Sequence, residues 1–136
     1  MKPAVYIFDS YALICFFLGE PGADFVKGLL RKKDEVKQSR IKLSLVNWGE
    51  VYYSISRNKG KVFAQEVLTL IDQYPIELVG LDRDFVYQAA QIKASYAISY
   101  ADSFTAALAM REGGTIVTGD PEFRKLGNQI PIHWLK

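Results

Sequence analysis

Short runs of β-branched and aromatic residues alternate along this chain with stretches of helical periodicity, and only a few residues separate one from the next. The runs are Val5–Phe8, Ile41–Val46, Ile76–Leu81, Thr115–Thr118 and Ile130–His133. Strands that follow one another through helices pair in parallel, because a parallel crossover needs a dozen or more residues and a tight hairpin cannot supply them. The alternation therefore predicts an α/β fold with a largely parallel sheet of four or five strands.

Helix signals fill the intervals. Asp9 and Ser10 stand before the apolar stretch Tyr11–Leu18, and Phe25, Val26, Leu29 and Leu30 recur at helical spacing until the charged segment Arg31–Lys37. Asn47 is a capping residue ahead of Val51, Tyr52 and Ile55, in a helix that breaks at Asn58–Gly60 and is followed by another reaching Tyr74. Asp82 caps a helix ending near Tyr96, and Ser99 opens an alanine-rich one that stops at Gly113 and Gly114. Asp120 and Pro121 start a short helix through Leu126.

Composition narrows the class. With 136 residues, 49% of them hydrophobic, the chain reads as a single domain over residues 1–136 whose core needs no cross-links. Cys15 is the only cysteine, which excludes a disulfide framework and favours a reducing compartment. Asp9 interrupts the apolar N-terminal run and no small-residue cleavage pattern follows, so a secretory signal is not expected. No stretch approaches the roughly 18 apolar residues of a membrane span. The expectation is a cytoplasmic protein without a membrane partner.

In a parallel α/β sheet the functional crevice lies beyond the carboxyl ends of the strands. Asp9 and Asp120 follow two strands, while Glu50 and Asp102 fall in the first turns of helices opened by Asn47 and Ser99. Four carboxylates near one sheet edge repel one another unless a cation compensates them. Mg²⁺ or Mn²⁺ prefers oxygen ligands and suits phosphodiester hydrolysis, where it acidifies a water and offsets charge on the leaving oxygen. Helix capping explains the same residues equally well from spacing alone: Asn47 with Glu50 and Ser99 with Asp102 have the form of capping boxes, and Asp120 before Pro121 has that of an N-cap.

The wording of the chain adds to its spacing. Val5-Tyr-Ile-Phe-Asp9-Ser10, Asn47-Trp-Gly-Glu50-Val-Tyr-Tyr53, Ser99-Tyr-Ala-Asp102-Ser-Phe-Thr-Ala-Ala-Leu-Ala109 and Ile116-Val-Thr-Gly-Asp120-Pro-Glu-Phe123 resemble, in order, the four signature blocks of the PIN domain, specifically of the small VapC-type ribonuclease toxins. The resemblance spans nearly the whole chain. It implies a three-layer α/β/α sandwich and an endoribonuclease dependent on Mg²⁺ or Mn²⁺, usually a homodimer, neutralised by a cognate antitoxin protein. Carried over block by block, Asp9, Glu50, Asp102 and Asp120 form the catalytic quartet. Asp9, Asp102 and Asp120 are its metal ligands, and Glu50 positions water or accepts a proton. Thr118 and Ser10 are supporting hydroxyls for a carboxylate or water. Glu122 stands where some relatives carry a further aspartate, and its longer side chain leaves it outside the carried-over set.

Other residues carry less. Setting the quartet aside leaves 17 basic residues against 11 acidic, a surplus that attracts RNA phosphates. Arg40, Lys42, Arg57, Lys59 and Lys61 are the candidate backbone contacts, with a solvated charged face as the plainer reading. Trp48, Tyr52, Tyr53 and Tyr100 stand beside the acids and suit either base stacking or packing. His133, the only histidine, lies far from any nucleophile, and Cys15 has no histidine near it, so both read as structural. No P-loop or dinucleotide fingerprint is present. A phosphoacceptor receiver domain needs adjacent acids after the first strand, where Asp9 stands alone, and a haloacid-type phosphatase needs an aspartate where Tyr11 stands. The remaining alternatives are a DNA nuclease and a PIN-like module that binds RNA or protein without cleaving, which would not need Asp102 to act.

Overall fold

A computed structural model describes residues 4–31 and 40–136. Five strands form one sheet: β1 (Val5–Phe8), β2 (Arg40–Ser44), β3 (Ile76–Val79), β4 (Thr115–Thr118) and β5 (Ile132–Trp134). Their order is β3-β2-β1-β4-β5, and every neighbouring pair is parallel. The helices are α1 (Ser10–Leu18), α2 (Ala23–Leu30), α3 (Leu45–Lys59), α4 (Lys61–Gln73), α5 (Arg83–Ser95) and α6 (Tyr100–Glu112), with a 3-10 helix at Pro121–Leu126. The charged helix end expected over Arg31–Lys37 lies, beyond Arg31, outside the described residues.

Two apolar layers sandwich the sheet. Because neighbouring side chains on a strand point to opposite faces, Phe8, Ile41, Leu43 and Val117 pack with α1 to α4, whereas Ile7 and Ile116 pack with α5, α6 and the 3-10 helix. β1 lies at the centre, and Ile7 and Phe8 are fully buried. The parallel sheet agrees with the alternation of strands and helices, and the three layers with what the resemblance implies.

Strand boundaries differ from the sequence reading at β2, β3, which stops at Val79 instead of Leu81, and β5. Leu45 and Val46 begin α3 instead of ending β2, and the N-cap is Ser44, whose Oγ accepts the Asn47 amide at 3.1 Å. Ser44 and Asn47 are both N-cap formers, so local preference does not choose between them. Tertiary contact does. Asn47 is wholly buried, where its Oδ1 accepts the hydroxyls of Ser44 and Thr105, at 2.5 and 2.9 Å, and its Nδ2 donates to Ala101 O at 3.3 Å. It ties α3 to the first turn of α6. The last strand is likewise shifted to Ile132–Trp134, after Pro131.

The sheet order places a topological switch between β1 and β4: the chain runs outward through β2 and β3, then returns to the other side of β1. Ligand crevices in open parallel sheets form at such points, because the helices that leave the two central strands diverge to opposite faces.

Candidate active site

Asp9 leaves β1 and Asp120 leaves β4, so the switch point brings two of the four sequence-selected acids to neighbouring strand ends. α3 and α6, which start on the same edge, contribute Glu50 and Asp102. All four line one cavity of about 400 Å³, together with Ser10, Tyr11, Ile14, Glu20, Ser99 and Glu122.

Asp9 is fixed before any ligand arrives. It caps α1 by accepting the Ala12 amide at 3.0 Å, and its other oxygen accepts the Thr118 hydroxyl at 2.5 Å. Thr118 in turn accepts the Asp120 amide at 2.9 Å, so one buried hydroxyl links the acids at the ends of β1 and β4. Glu50 is held from the other side: Ser10 donates to its Oε1 at 2.7 Å and the Tyr53 hydroxyl to its Oε2 at 3.4 Å. Asp120 caps the 3-10 helix through the Glu122 amide at 2.9 Å.

Asp102 departs from the capping-box expectation. Its amide donates to Ser99 Oγ at 3.1 Å, the first half of the box, but the Ser99 amide donates to Glu122 Oε1 at 3.0 Å. The Asp102 carboxylate, on a residue only 5% exposed, stays with the cavity, and its oxygen lies within 4.8 Å of those of Asp120 and Glu122. Sequence reasoning set Glu122 aside. The signal that finds it is the capping geometry of Ser99, which needs the fold.

The electrostatics are strained in one direction. Burial, opposed by the Thr118 and Ala12 hydrogen bonds and reinforced by Asp120 and Glu50, pushes the Asp9 carboxyl up to about 7. Burial also raises Asp102 well above the carboxylate range, helped by a hydrogen bond to Glu122 and by the charges of Asp120, Asp9 and Glu122. Glu122 is lowered, chiefly by the Ser99 amide. Among the described residues, none of the quartet forms an ion pair with lysine or arginine. Clustered all-oxygen donors, two of them buried and none with a cationic partner among the described residues, fit a hard divalent ion, which prefers oxygen and supplies positive charge.

The basic candidates stand apart from this cavity. Lys42 is buried, with Nζ 2.7 Å from Glu112 and 3.7 Å from Glu77, so its ammonium is paired within the fold. Its position in β2 puts it on the sheet face covered by α6, where only a paired charge is tolerated. Arg40 pairs with Glu77 at 3.8 Å, at the opposite end of β2 from the acids. Arg57, Lys59 and Lys61 are exposed, and Arg57 lies over the Tyr53 ring, 5.1 Å from its centroid. Tyr53 and Tyr100 are exposed near the acids, whereas Trp48 and Tyr52 pack on the core. His133 stacks on Phe25 with centroids 3.6 Å apart, and the buried Cys15 packs near Glu20 and Pro21.

Gly119 shapes the cavity wall. A Cβ there would fall 2.4 Å from the Tyr11 ring, so any side chain between Thr118 and Asp120 would require that ring to shift.

The family described as "PIN domain" matches residues 6–129. A chain of DNA-bound VapBC from Salmonella typhimurium superposes with a TM-score of 0.74 at 18% identity, with 100% of both chains covered. VapBC2 from Rickettsia felis, bound to a DNA fragment from its promoter, gives 0.72 at 18% identity over 95% of this chain and 97% of that one. VapC20 of Mycobacterium tuberculosis, described as a sarcin-ricin loop cleaving toxin, gives 0.70 at 17% identity over 91% and 95%. No curated protein sequence matches.

Proposed function

This chain belongs to the PIN-domain family, and from that premise we propose that it is a metal-dependent endoribonuclease acting as the toxin of a VapBC-type toxin–antitoxin pair. The observation that carries the reading is the pair of buried carboxylates, Asp9 and Asp102, raised in pKa and without a cationic partner among the described residues at the switch point of a parallel sheet. A structural cap needs neither that burial nor that crowding.

Asp9, Asp102 and Asp120 would hold Mg²⁺ or Mn²⁺. When bound, the ion offsets charge on the scissile phosphate and acidifies a water. Ser10 and Tyr53 hold the Glu50 carboxylate, which would orient an attacking water and accept its proton. The water oxygen would bond to phosphorus as the P–O3′ bond breaks, leaving a 5′-phosphate on one fragment and, on the other, a 3′-oxygen that takes a proton from solvent to become a hydroxyl. Thr118 keeps Asp9 in register with Asp120 throughout. The roles of Ser10 and Thr118 are thus to orient carboxylates, as outer hydroxyls do in many metal sites.

The relatives described as VapBC toxin–antitoxin complexes support an antitoxin partner. Homodimer formation, a cytoplasmic location and a single domain over residues 1–136 belong to the same proposal. No described helix is long and apolar enough to cross a membrane.

The test is digestion of a total-RNA pool by wild type and Asp102→Asn, with Mg²⁺ or Mn²⁺ and with chelator, followed by sequencing of the cut ends. Cuts that require metal, carry 5′-phosphates and vanish in the variant support the nuclease. Ends bearing 2′,3′-cyclic phosphates refute the mechanism, and RNA binding without cuts in any condition favours the non-cleaving module.

A further inference from the structure

We infer that Glu122 is a positioning residue of this site: by accepting the Ser99 amide it takes the backbone bond that the Asp102 carboxylate would otherwise make, and so leaves that carboxylate turned into the cavity. The inference rests on the nuclease reading above.

A capping box is reciprocal. The N-cap hydroxyl accepts the amide three residues on, and the acid at that residue reaches back to the N-cap amide. In α6 the first bond is present, Asp102 N–H to Ser99 Oγ at 3.1 Å, whereas the second comes from another element. Ser99 N–H donates to Glu122 Oε1 at 3.0 Å, and the Glu122 amide donates to Asp120 Oδ1 at 2.9 Å. One residue therefore bridges the start of α6 and the last of the four acids.

The surroundings fit a clamp on α6. Lys125 Nζ donates to Ala97 O at 2.8 Å and Lys93 Nζ to Ile98 O at 2.7 Å, so residues 97, 98 and 99 are each held by a side chain. Both lysines also lie near enough to Glu122 to steady its negative charge. Without Glu122 the Ser99 amide loses its acceptor, and the carboxylate best placed to replace it is that of Asp102, by the ordinary geometry of the box. An Asp102 turned back on its own helix is lost to an ion in the cavity. Outer groups that orient ligands typically account for 10- to 100-fold in metal affinity.

Two measurements on the full chain test this. In Mn²⁺ titration calorimetry, Glu122→Ala should weaken binding about 10- to 100-fold, while Glu122→Gln, whose amide oxygen still accepts from Ser99, should stay near wild type. Asp82→Ala removes an equivalent cap on α5, where Asp82 Oδ1 accepts the Phe85 amide, and should lower the melting temperature without touching Mn²⁺ affinity. Wild-type affinity in Glu122→Ala overturns the inference. So does an equal loss in Glu122→Gln, which would make Glu122 a charged ligand. The second measurement is amide exchange at Ser99 in metal-free protein: Glu122→Ala should keep protection that the Glu122→Ala, Asp102→Ala double variant loses. If the single variant exchanges as fast as the double, Asp102 does not turn back and the inference fails. Because this second readout needs no metal, a wild type that takes up no Mn²⁺ would count against the nuclease reading alone.

Discussion

Replacing Asp9 with asparagine should stabilise the metal-free protein and abolish its response to metal. Asp9 is 1% exposed and titrates at about 7 in the fold against 3.8 for an ordinary aspartate, so the folded chain binds this proton more tightly than the unfolded chain does. A raised native pKa makes stability fall as pH rises between the two values, and the loss is complete above pH 7. At 1.36 kcal/mol per pH unit the full effect is about 4 kcal/mol. Asparagine removes the charge and keeps most of the geometry: its Oδ1 still accepts the Ala12 amide, and its Nδ2 faces a Thr118 oxygen able to accept. If half the effect survives relaxation, the gain is about 2 kcal/mol, or on the order of 8 °C in melting temperature for a chain of this size. The assay is thermal unfolding from pH 5 to 8, in chelator and in millimolar Mn²⁺. In chelator, wild type should lose stability as pH rises and Asp9→Asn should lose less; at pH 8 Mn²⁺ should raise wild type and leave the variant unmoved. A variant that melts at or below wild type at pH 8 in chelator would refute the reasoning, because Asp9 would then be an ordinary cap whose charge costs the fold nothing.

Three further outcomes follow from the same geometry. Thr118→Val deletes the hydroxyl that donates to Asp9 and accepts from Asp120, and should weaken Mn²⁺ binding about tenfold in a calorimetric titration. Gly119→Ala should destabilise by about 1–3 kcal/mol through its clash with the Tyr11 ring, and the same substitution made in a Tyr11→Ala chain should cost little in denaturant melts, since the two side chains share one space. Lys42→Met should leave RNA cleavage unchanged while raising the Glu112 carboxyl, now held low chiefly by its hydrogen bond to Lys42, as read by NMR titration.

Asp82, Ser99 and Asp120 each stand as N-caps where local spacing puts them, because a cap satisfies amides two or three residues away and needs no distant partner. Asn47 has the same local preference but is drawn inward by Thr105 and Ala101, residues more than fifty positions away, and Ser44 takes the cap. Lys42 and Lys59 look alike as charges in the sequence, yet one is buried between Glu77 and Glu112 and the other is exposed.

Alternating strands and helices, and with them a parallel sheet and four acids on its carboxyl edge, are legible in the amino-acid order because hydrophobic period and capping chemistry act within a few residues. The strand order that sets β1 beside β4, the burial that raises Asp9 and Asp102, and the use of Glu122 as the cap that frees Asp102 arise in the packed fold alone. Those depend on desolvation and on hydrogen bonds between segments remote in the chain, as in the 109 positions between Asp9 and Thr118, which come into being when the two apolar layers close on the sheet.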